Sequence, residues 1–234
     1  MTLGLTLQER IAEVEERVSR ACAASGRERS DVKVIAVTKY VSLETAAAVL
    51  DAGLMDIGEN RWQDAAHKWN VLGDKGTWHF IGHLQTNKVK DVIGKFQYIH
   101  SLDRMSLAEE LNKKASATGQ LVEVFVQVNI SGEDSKFGLP PEAAADFLRG
   151  IAGLDRLKVV GLMTMAPHEG DSELTRPIFR RLRELRDELN QLGLTAEPIT
   201  ELSMGMSNDF EVAIQEGATW VRLGTVLVGH EEGS

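Results

Sequence analysis

A single cysteine, Cys22, occurs in the 234 residues. No disulfide can form within the chain, and thiol-rich metal sites are excluded. Cys22 falls on an apolar helix face, where packing is its expected role. No stretch reaches the roughly 18 uninterrupted apolar residues of a bilayer-spanning helix. Met1–Arg10 lacks the basic flank and apolar core of a secretory leader. We therefore expect a cytoplasmic protein without membrane contact. Runs of Lys and Arg are missing too. With 26 basic and 35 acidic residues the formal net charge is -9, the wrong sign for non-specific binding to nucleic acid or anionic lipid. Small molecules are the expected partners. Low-complexity segments and close repeats are absent, and neither His79 nor His83 has sequence partners that make a convincing metal triad, so no metal is expected. What remains is an ordinary globular composition, 43% hydrophobic and 26% charged, with ample material for one sizeable core.

Among what is present, the stretch Asp31–Tyr40 organises the rest. Val32, Val34, Ile35, Ala36 and Val37 form a nearly continuous apolar, β-branched run, as in a parallel strand covered on both faces. A side-chain period of two puts Ile35, Val37 and Lys39 on one face and Val34, Ala36 and Thr38 on the other. Lys39 thus stands at the strand's C-terminal end, where α/β sheets and barrels keep their active sites. Two readings fit it. A strand-end lysine snorkelling into solvent is the commoner case; a lysine with a desolvated stem can instead lose its proton and attack a carbonyl to form a Schiff base.

The pattern around this strand repeats. A first helix is capped by Thr6 with Glu9 three residues on, carries Ile11, Val14, Val18 and Ala21 at helical spacing, and ends near Gly26. After the Lys39 strand come a helix over 43–50, strands over 54–57, 78–82, 98–102, 121–130 (the longest), 157–165, 199–204 and 219–223, and helices between them. Pro140 and Pro141 open the helix after the fifth strand. Eight strands alternating with helices through short loops fit a single (β/α)8 TIM barrel over residues 1–234, preceded by an extra N-terminal helix. A doubly wound sheet is the alternative.

In such a barrel the loops after strands seven and eight commonly hold phosphate. Here they read Leu202–Asp209 (LSMGMSND) and Val221–Thr225 (VRLGT). Gly205 permits close backbone approach, Ser207 offers a hydroxyl, a helix beginning near Asn208 favours an anion, and Gly224 with Thr225 repeats the chemistry. Serine, asparagine and aspartate also cap helices, and Gly-Thr also makes turns; agreement of two neighbouring loops favours phosphate. Arg222 shares a face with Trp220 and Gly224 and points into the barrel, where it needs an acceptor. Glu123 or Glu201 would serve, as would a ligand's ring nitrogen. Asn60, His79, His83 and Asn129 sit near other strand ends, where single polar residues are more often structural than catalytic.

Several linked motifs over residues 6–230 carry a resemblance. They are the strand-one lysine, Gly58-Glu59-Asn60-Arg61, Trp78–Lys88 (WHFIGHLQTNK), Gln127-Val128-Asn129 with Lys136-Phe137-Gly138, Gly161–Thr164 (GLMT), and the two loops just described. In their order they resemble the pyridoxal phosphate homeostasis protein family. The resemblance implies the barrel of the alanine racemase N-terminal domain, with pyridoxal 5′-phosphate held in Schiff-base linkage on Lys39. It implies phosphate contacts from Ser207, Gly224 and Thr225, Arg222 at the pyridine nitrogen, and Asn60 and His79 lining the ring pocket. Tyr40 and Val41 depart from the usual, more polar continuation after the lysine. The function implied is a monomeric carrier or buffer of pyridoxal phosphate that maintains vitamin B6 balance, passes cofactor to apo-enzymes that need it, and has no catalytic residues of its own. An arginine at the ring nitrogen weakens the ring as an electron sink, and the second domain of the two-domain racemases is not expected here. A weak amino-acid racemase using the same cofactor, and a Schiff-base aldolase acting on a phosphorylated sugar, are the alternatives. Lys136 is a candidate transient acceptor of the cofactor from Lys39.

Overall fold

Alternating side chains decide the architecture. In a computed structural model, which describes residues 5–73, 75–133, 137–167 and 171–229, eight parallel strands close into a barrel in chain order. They are β1 (Lys33–Val37), β2 (Asp56–Glu59), β3 (Thr77–Phe80), β4 (Tyr98–Leu102), β5 (Val122–Gln127), β6 (Leu157–Met163), β7 (Glu201–Ser203) and β8 (Trp220–Leu223). Val34, Ala36, Trp78, Phe80, Ile99 and Val124 point outward into the main core beneath the helices. Ile35, Phe125, Val160, Met163 and Trp220 point inward and form a separate apolar cluster in the barrel's centre. The two faces of β1 are therefore those its period of two predicts. Ring closure pairs Ile35 with Arg222 across β1 and β8, which places Arg222 inside the barrel.

Helices α2 (Leu43–Asp51), α3 (Trp62–Leu72), α4 (Val89–Val92), α5 (Met105–Thr118), α6 (Ala144–Ile151), α7 (Arg176–Gln191), α8 (Phe210–Gln215) and α9 (Thr225–Val228) follow β1 to β8 in turn, and α1 (Leu7–Ala24) precedes them. The expected capping box of α1 is present: Thr6 accepts from the Glu9 amide, and the Glu9 carboxylate accepts from the Thr6 amide at 2.7 Å. α1 docks on the last two helices. Arg10 donates to the carbonyls of Leu227 and Val228, Arg17 pairs with Glu211 at 2.6 Å, and Arg27 donates to the Ile214 carbonyl.

Several boundaries differ from expectation for identifiable reasons. β2 starts at Asp56 rather than Leu54, because the Leu54 amide is used by the Val49 carbonyl at the end of α2. β5 ends at Gln127 rather than Ile130. Beyond it the backbone bonds fold back on the following loop, Asn129 to Leu139 and Leu139 to Gln127. The longest strand is consequently β6, with 7 residues, not β5, with 6. The helix expected near Asn208 begins at Phe210, with Asp209 accepting from the Met206 amide. Gly224 and Thr225 do not merely turn the chain; they start α9.

Candidate functional site

At the C-terminal ends of the strands lies a cavity of about 500 Å³, within the usual size range of small-ligand pockets. β1 contributes Val37 and, just beyond its end, Lys39; the β2 end contributes Asn60; the loop after β7 contributes Ser207; and β8 contributes Arg222, followed by Gly224 and Thr225. Six of the seven residues singled out from sequence thus meet around one space. The seventh, His79, does not. Its side chain is wholly buried within the barrel, bonded to Asp56 at 2.9 Å and to His100 at 3.0 Å. The correction is one of depth: His79 lies in β3, whereas the cavity is reached only by Ile81, Gly82 and His83 beyond it.

Lys39 is half-buried, with its Nζ 4.9 Å from the centroid of the exposed Tyr40 ring, so the aromatic residue that follows it shields one side of the ammonium. A buried network holds the backbone on either side. The Thr38 hydroxyl donates to Glu59 at 2.6 Å, and Lys68 of α3 donates to Glu59 at 2.8 Å and to the Thr38 carbonyl. Thr38 and Glu59 immediately precede Lys39 and Asn60, so one ion pair from α3 fixes two cavity positions. Burial pushes the Glu59 carboxyl up, against the pull of Lys68.

Arg222 forms the cavity floor. Its guanidinium donates to Ser203 Oγ at 2.7 Å and to the Thr164 carbonyl at 3.0 Å. Neither carboxylate proposed for it is its partner: Glu201 instead accepts from the Trp220 indole at 2.7 Å, and Glu123 faces Tyr98. Burial lowers Arg222 to about 10, partly opposed by the Asp209 charge, and it is still protonated near neutral pH. Two partners leave further guanidinium N–H donors to face the cavity. Just beyond β8 the Gly224 amide donates to Ser207 Oγ at 3.3 Å, joining the two loops whose residue types suit an anion.

Further lining residues, among them Ile81, Gly82, Phe137, Met165 and Met206, entered the sequence reading only as members of a strand or motif. Ile81 and Gly82 follow β3 directly, and strand-end position was the available signal. Phe137 comes from the loop after β5, and its signal was the Lys136-Phe137-Gly138 motif. Gln127, at the end of β5, donates to the Phe137 carbonyl at 3.4 Å. His83 stacks on the Phe137 ring, centroids 4.0 Å apart. Burial, then the Arg104 charge, lowers the His83 pKa, leaving it mostly neutral near pH 7. Asn129, also singled out from sequence, is structural: it accepts from the Gly132 amide and donates to the Glu133 carbonyl. Lys136 lies outside the described residues. Among the described residues no cluster of three or more His, Cys, Asp or Glu is placed to hold a metal, and no helix is long and apolar enough to cross a membrane.

Comparison with known proteins gives one family. The family model of the alanine racemase N-terminal domain matches residues 11–232. A pyridoxal phosphate homeostasis protein of Aquifex aeolicus is 45% identical over 225 residues, covering 96% of this chain and 98% of its own. One from Pseudomonas aeruginosa is 42% identical over 228 residues, covering 96% and 95%. The PipY protein of Synechococcus elongatus, solved with PLP bound, superposes with a TM-score of 0.83 at 32% identity, covering 96% of this chain and 100% of its own.

Proposed function

The chain belongs to the pyridoxal phosphate homeostasis protein family, built on the alanine racemase N-terminal domain, and from that premise we propose that its cavity holds pyridoxal 5′-phosphate on Lys39 for storage and delivery. The observation that carries this reading is the meeting of a lysine amine, an arginine floor and two anion-suited loops around one space of about 500 Å³. The donor set fits the cofactor at three points. Lys39 supplies an amine, Ser207 with the start of α9 at Gly224 and Thr225 supplies hydroxyl and amide groups for phosphate, and Arg222 supplies donors for a ring acceptor. Asn60 completes the wall on the β2 side.

When bound, pyridoxal phosphate supplies a reactive aldehyde and an electron-withdrawing ring. The chain's own groups restrain both. Arg222 keeps its proton near neutral pH, so it would donate to a ring nitrogen placed opposite it and hold that nitrogen unprotonated, which would weaken the ring's pull on electrons. Lys39, half-buried at the cavity wall, would hold the cofactor through its amine, without a strong driving force for amino-acid turnover. We therefore read the protein as a carrier and buffer of vitamin B6 cofactor, supplying apo-enzymes, with no catalytic residue assigned. A monomer accords with the outward face of α7, where charges pair within the helix, as in Arg181 with Glu188.

The test is the visible absorption of the purified protein, before and after borohydride, beside Lys39→Ala. A yellow band that borohydride removes, with a reduced adduct on Lys39 and none in the variant, is expected. An undiminished band in Lys39→Ala would sink the assignment. One observation favours a second reading, weak racemase activity: His83, mostly neutral near pH 7, stands in the cavity wall as a potential base. Exchange of an amino acid's α-proton that His83→Ala abolishes, in protein free of contaminating enzymes, would decide for it. Its absence decides for the carrier.

A further inference from the structure

Below the cavity floor, the barrel contains an unbroken line of polar groups where apolar layers are the rule. It starts at Asp56, at the N-terminal end of β2, whose side chain is 25% exposed. It passes His79 on β3, His100 on β4 and Ser203 on β7, all fully buried, and ends at Arg222. The contacts are Asp56 Oδ1 to His79 Nε2 at 2.9 Å, His79 Nδ1 to His100 Nε2 at 3.0 Å, His100 Nδ1 to Ser203 Oγ at 2.9 Å, and Ser203 Oγ to Arg222 Nη1 at 2.7 Å.

With both histidines neutral and Asp56 a carboxylate, one arrangement of protons satisfies every link. Arg222 can only donate, so Ser203 Oγ accepts from it. The serine's own proton then goes to His100 Nδ1, which must be bare. His100 carries its proton on Nε2 and donates to a bare His79 Nδ1. His79 in turn carries its proton on Nε2 and donates to the Asp56 carboxylate. The reverse order would leave the serine proton without a place in the line and set a lone pair of His79 against a carboxylate. Each donor thus points from Arg222 toward Asp56, from the positive end to the negative.

We propose that Asp56, His79, His100 and Ser203 form a one-way hydrogen-bond chain through the barrel that positions the Arg222 guanidinium at the cavity floor. That the positioned group faces a cofactor rests on the function proposed above; the chain itself does not. The packing around the chain keeps it neutral and rigid. His79 stacks on Tyr98 with centroids 4.8 Å apart, and His100 stacks on Phe125 at 4.1 Å. Burial lowers the pKa of both histidines. On His79 it outweighs the hydrogen bond and charge of Asp56, which raise it, with Lys33 adding to the lowering. His100 is held well below its ordinary value, with His79 and Arg222 adding to the effect. The charged groups around the Asp56 end include Lys33 on β1, Glu123 on β5, Lys158 on β6 and Glu201 on β7. Joined by neutral links, Asp56 and Arg222 act as the two ends of one aligned set of dipoles, so the orientation of the floor is fixed from the far face of the barrel. These are positioning residues.

Nitrogen-15 NMR of the full chain tests this without added cofactor. The expected result at neutral pH is that both histidines are neutral, with the proton on Nε2 and Nδ1 bare, and that Arg222 gives resolved, slowly exchanging guanidinium signals. Ser203→Ala deletes one oxygen and breaks the line, so the Arg222 signals should average. His100→Gln keeps one acceptor and one donor at similar spacing and should preserve them. A proton on Nδ1 of either histidine, a charged histidine, or unchanged Arg222 signals in Ser203→Ala overturns the proposal. Pyridoxal phosphate binding on the same samples separates the two claims. If the parent binds it, Ser203→Ala should bind about ten-fold more weakly and His100→Gln like the parent, and equal affinity in Ser203→Ala counts against positioning. A parent that binds none, with the histidine and arginine signals as expected, overturns the cofactor assignment alone.

Discussion

At the scale of single residues, the cavity depends on atoms that are missing as much as on those present. Gly82 lines the space, and a Cβ built there would lie 2.3 Å from the Asn60 carbonyl oxygen and 2.8 Å from its Cα. Backbone cannot step aside as a side-chain tip can. Gly82→Ala should therefore cost about 1–3 kcal/mol of stability and displace Asn60, lowering pyridoxal phosphate uptake; urea unfolding and absorbance titration measure the two effects. Gly119 is the contrast. It caps α5 with φ +68 and meets nothing within 4 Å, so Gly119→Ala should cost about 1 kcal/mol from backbone strain and leave uptake unchanged. Equal uptake by Gly82→Ala would show that Asn60 tolerates displacement.

Between elements, the decisive link is the buried group of Thr38, Glu59 and Lys68, which joins β1, β2 and α3 behind the cavity. Breaking a buried ion pair by removing one partner typically costs about 3–5 kcal/mol, because a charge is left uncompensated. Glu59 has an escape, since burial already holds its pKa above its ordinary value of 4.5. In Lys68→Met the folded-state pKa rises further. A folded carboxyl with a raised pKa binds more protons than the unfolded chain, so the stability it contributes is present below 4.5 and lost as pH rises through the folded value. Lys68→Met should thus be about 3 kcal/mol less stable than the parent near neutral pH and closer to it near pH 5. Adding Glu59→Gln should remove that pH dependence. Denaturant midpoints at the two pH values decide, and a pH-independent deficit in the single variant would count against this account.

For the whole molecule, the polar barrel interior predicts an acid-sensitive fold. His79 and His100 are buried and neutral, with folded-state pKa values below their ordinary 6.5. The unfolded chain therefore binds more protons than the folded one below about pH 6.5, and stability falls as pH drops through that window. His100, held well below its ordinary value, contributes a slope approaching about 1.4 kcal/mol per pH unit, and His79 adds to it in the same direction. Glu59 works in the opposite sense above 4.5 and offsets part of this. Below 4.5, carboxylates held low add to the loss. Glu216, for instance, is pushed up by burial, but Arg180 and Arg176 outweigh that and lower it on balance. Thermal unfolding should show stability declining below pH 6.5 in the parent, and a shallower decline in His100→Gln, which has one fewer buried titrating ring. A parent curve flat between about pH 5 and 7 would contradict the neutral state assigned to these histidines.

The sequence by itself determined the strand count, the faces of β1, the capping box of α1 and the gathering of Lys39, Asn60, Ser207, Arg222, Gly224 and Thr225 at one end of the barrel. These follow from local rules, because a period of two, a cap spacing and a strand-end position are all written within a few residues. Partners were not legible in the same way. Whether Arg222 met Glu123, Glu201 or Ser203 depended on the stagger of strands far apart in the chain, as did the depth of His79. Closure of the barrel turned one histidine from a supposed pocket wall into a link beneath the floor, and its neighbour His100, unremarked in sequence, into the next. Sequence spacing reports which way a side chain points; only the closed ring fixes what stands opposite it, because those distances are set by the register of all eight strands at once.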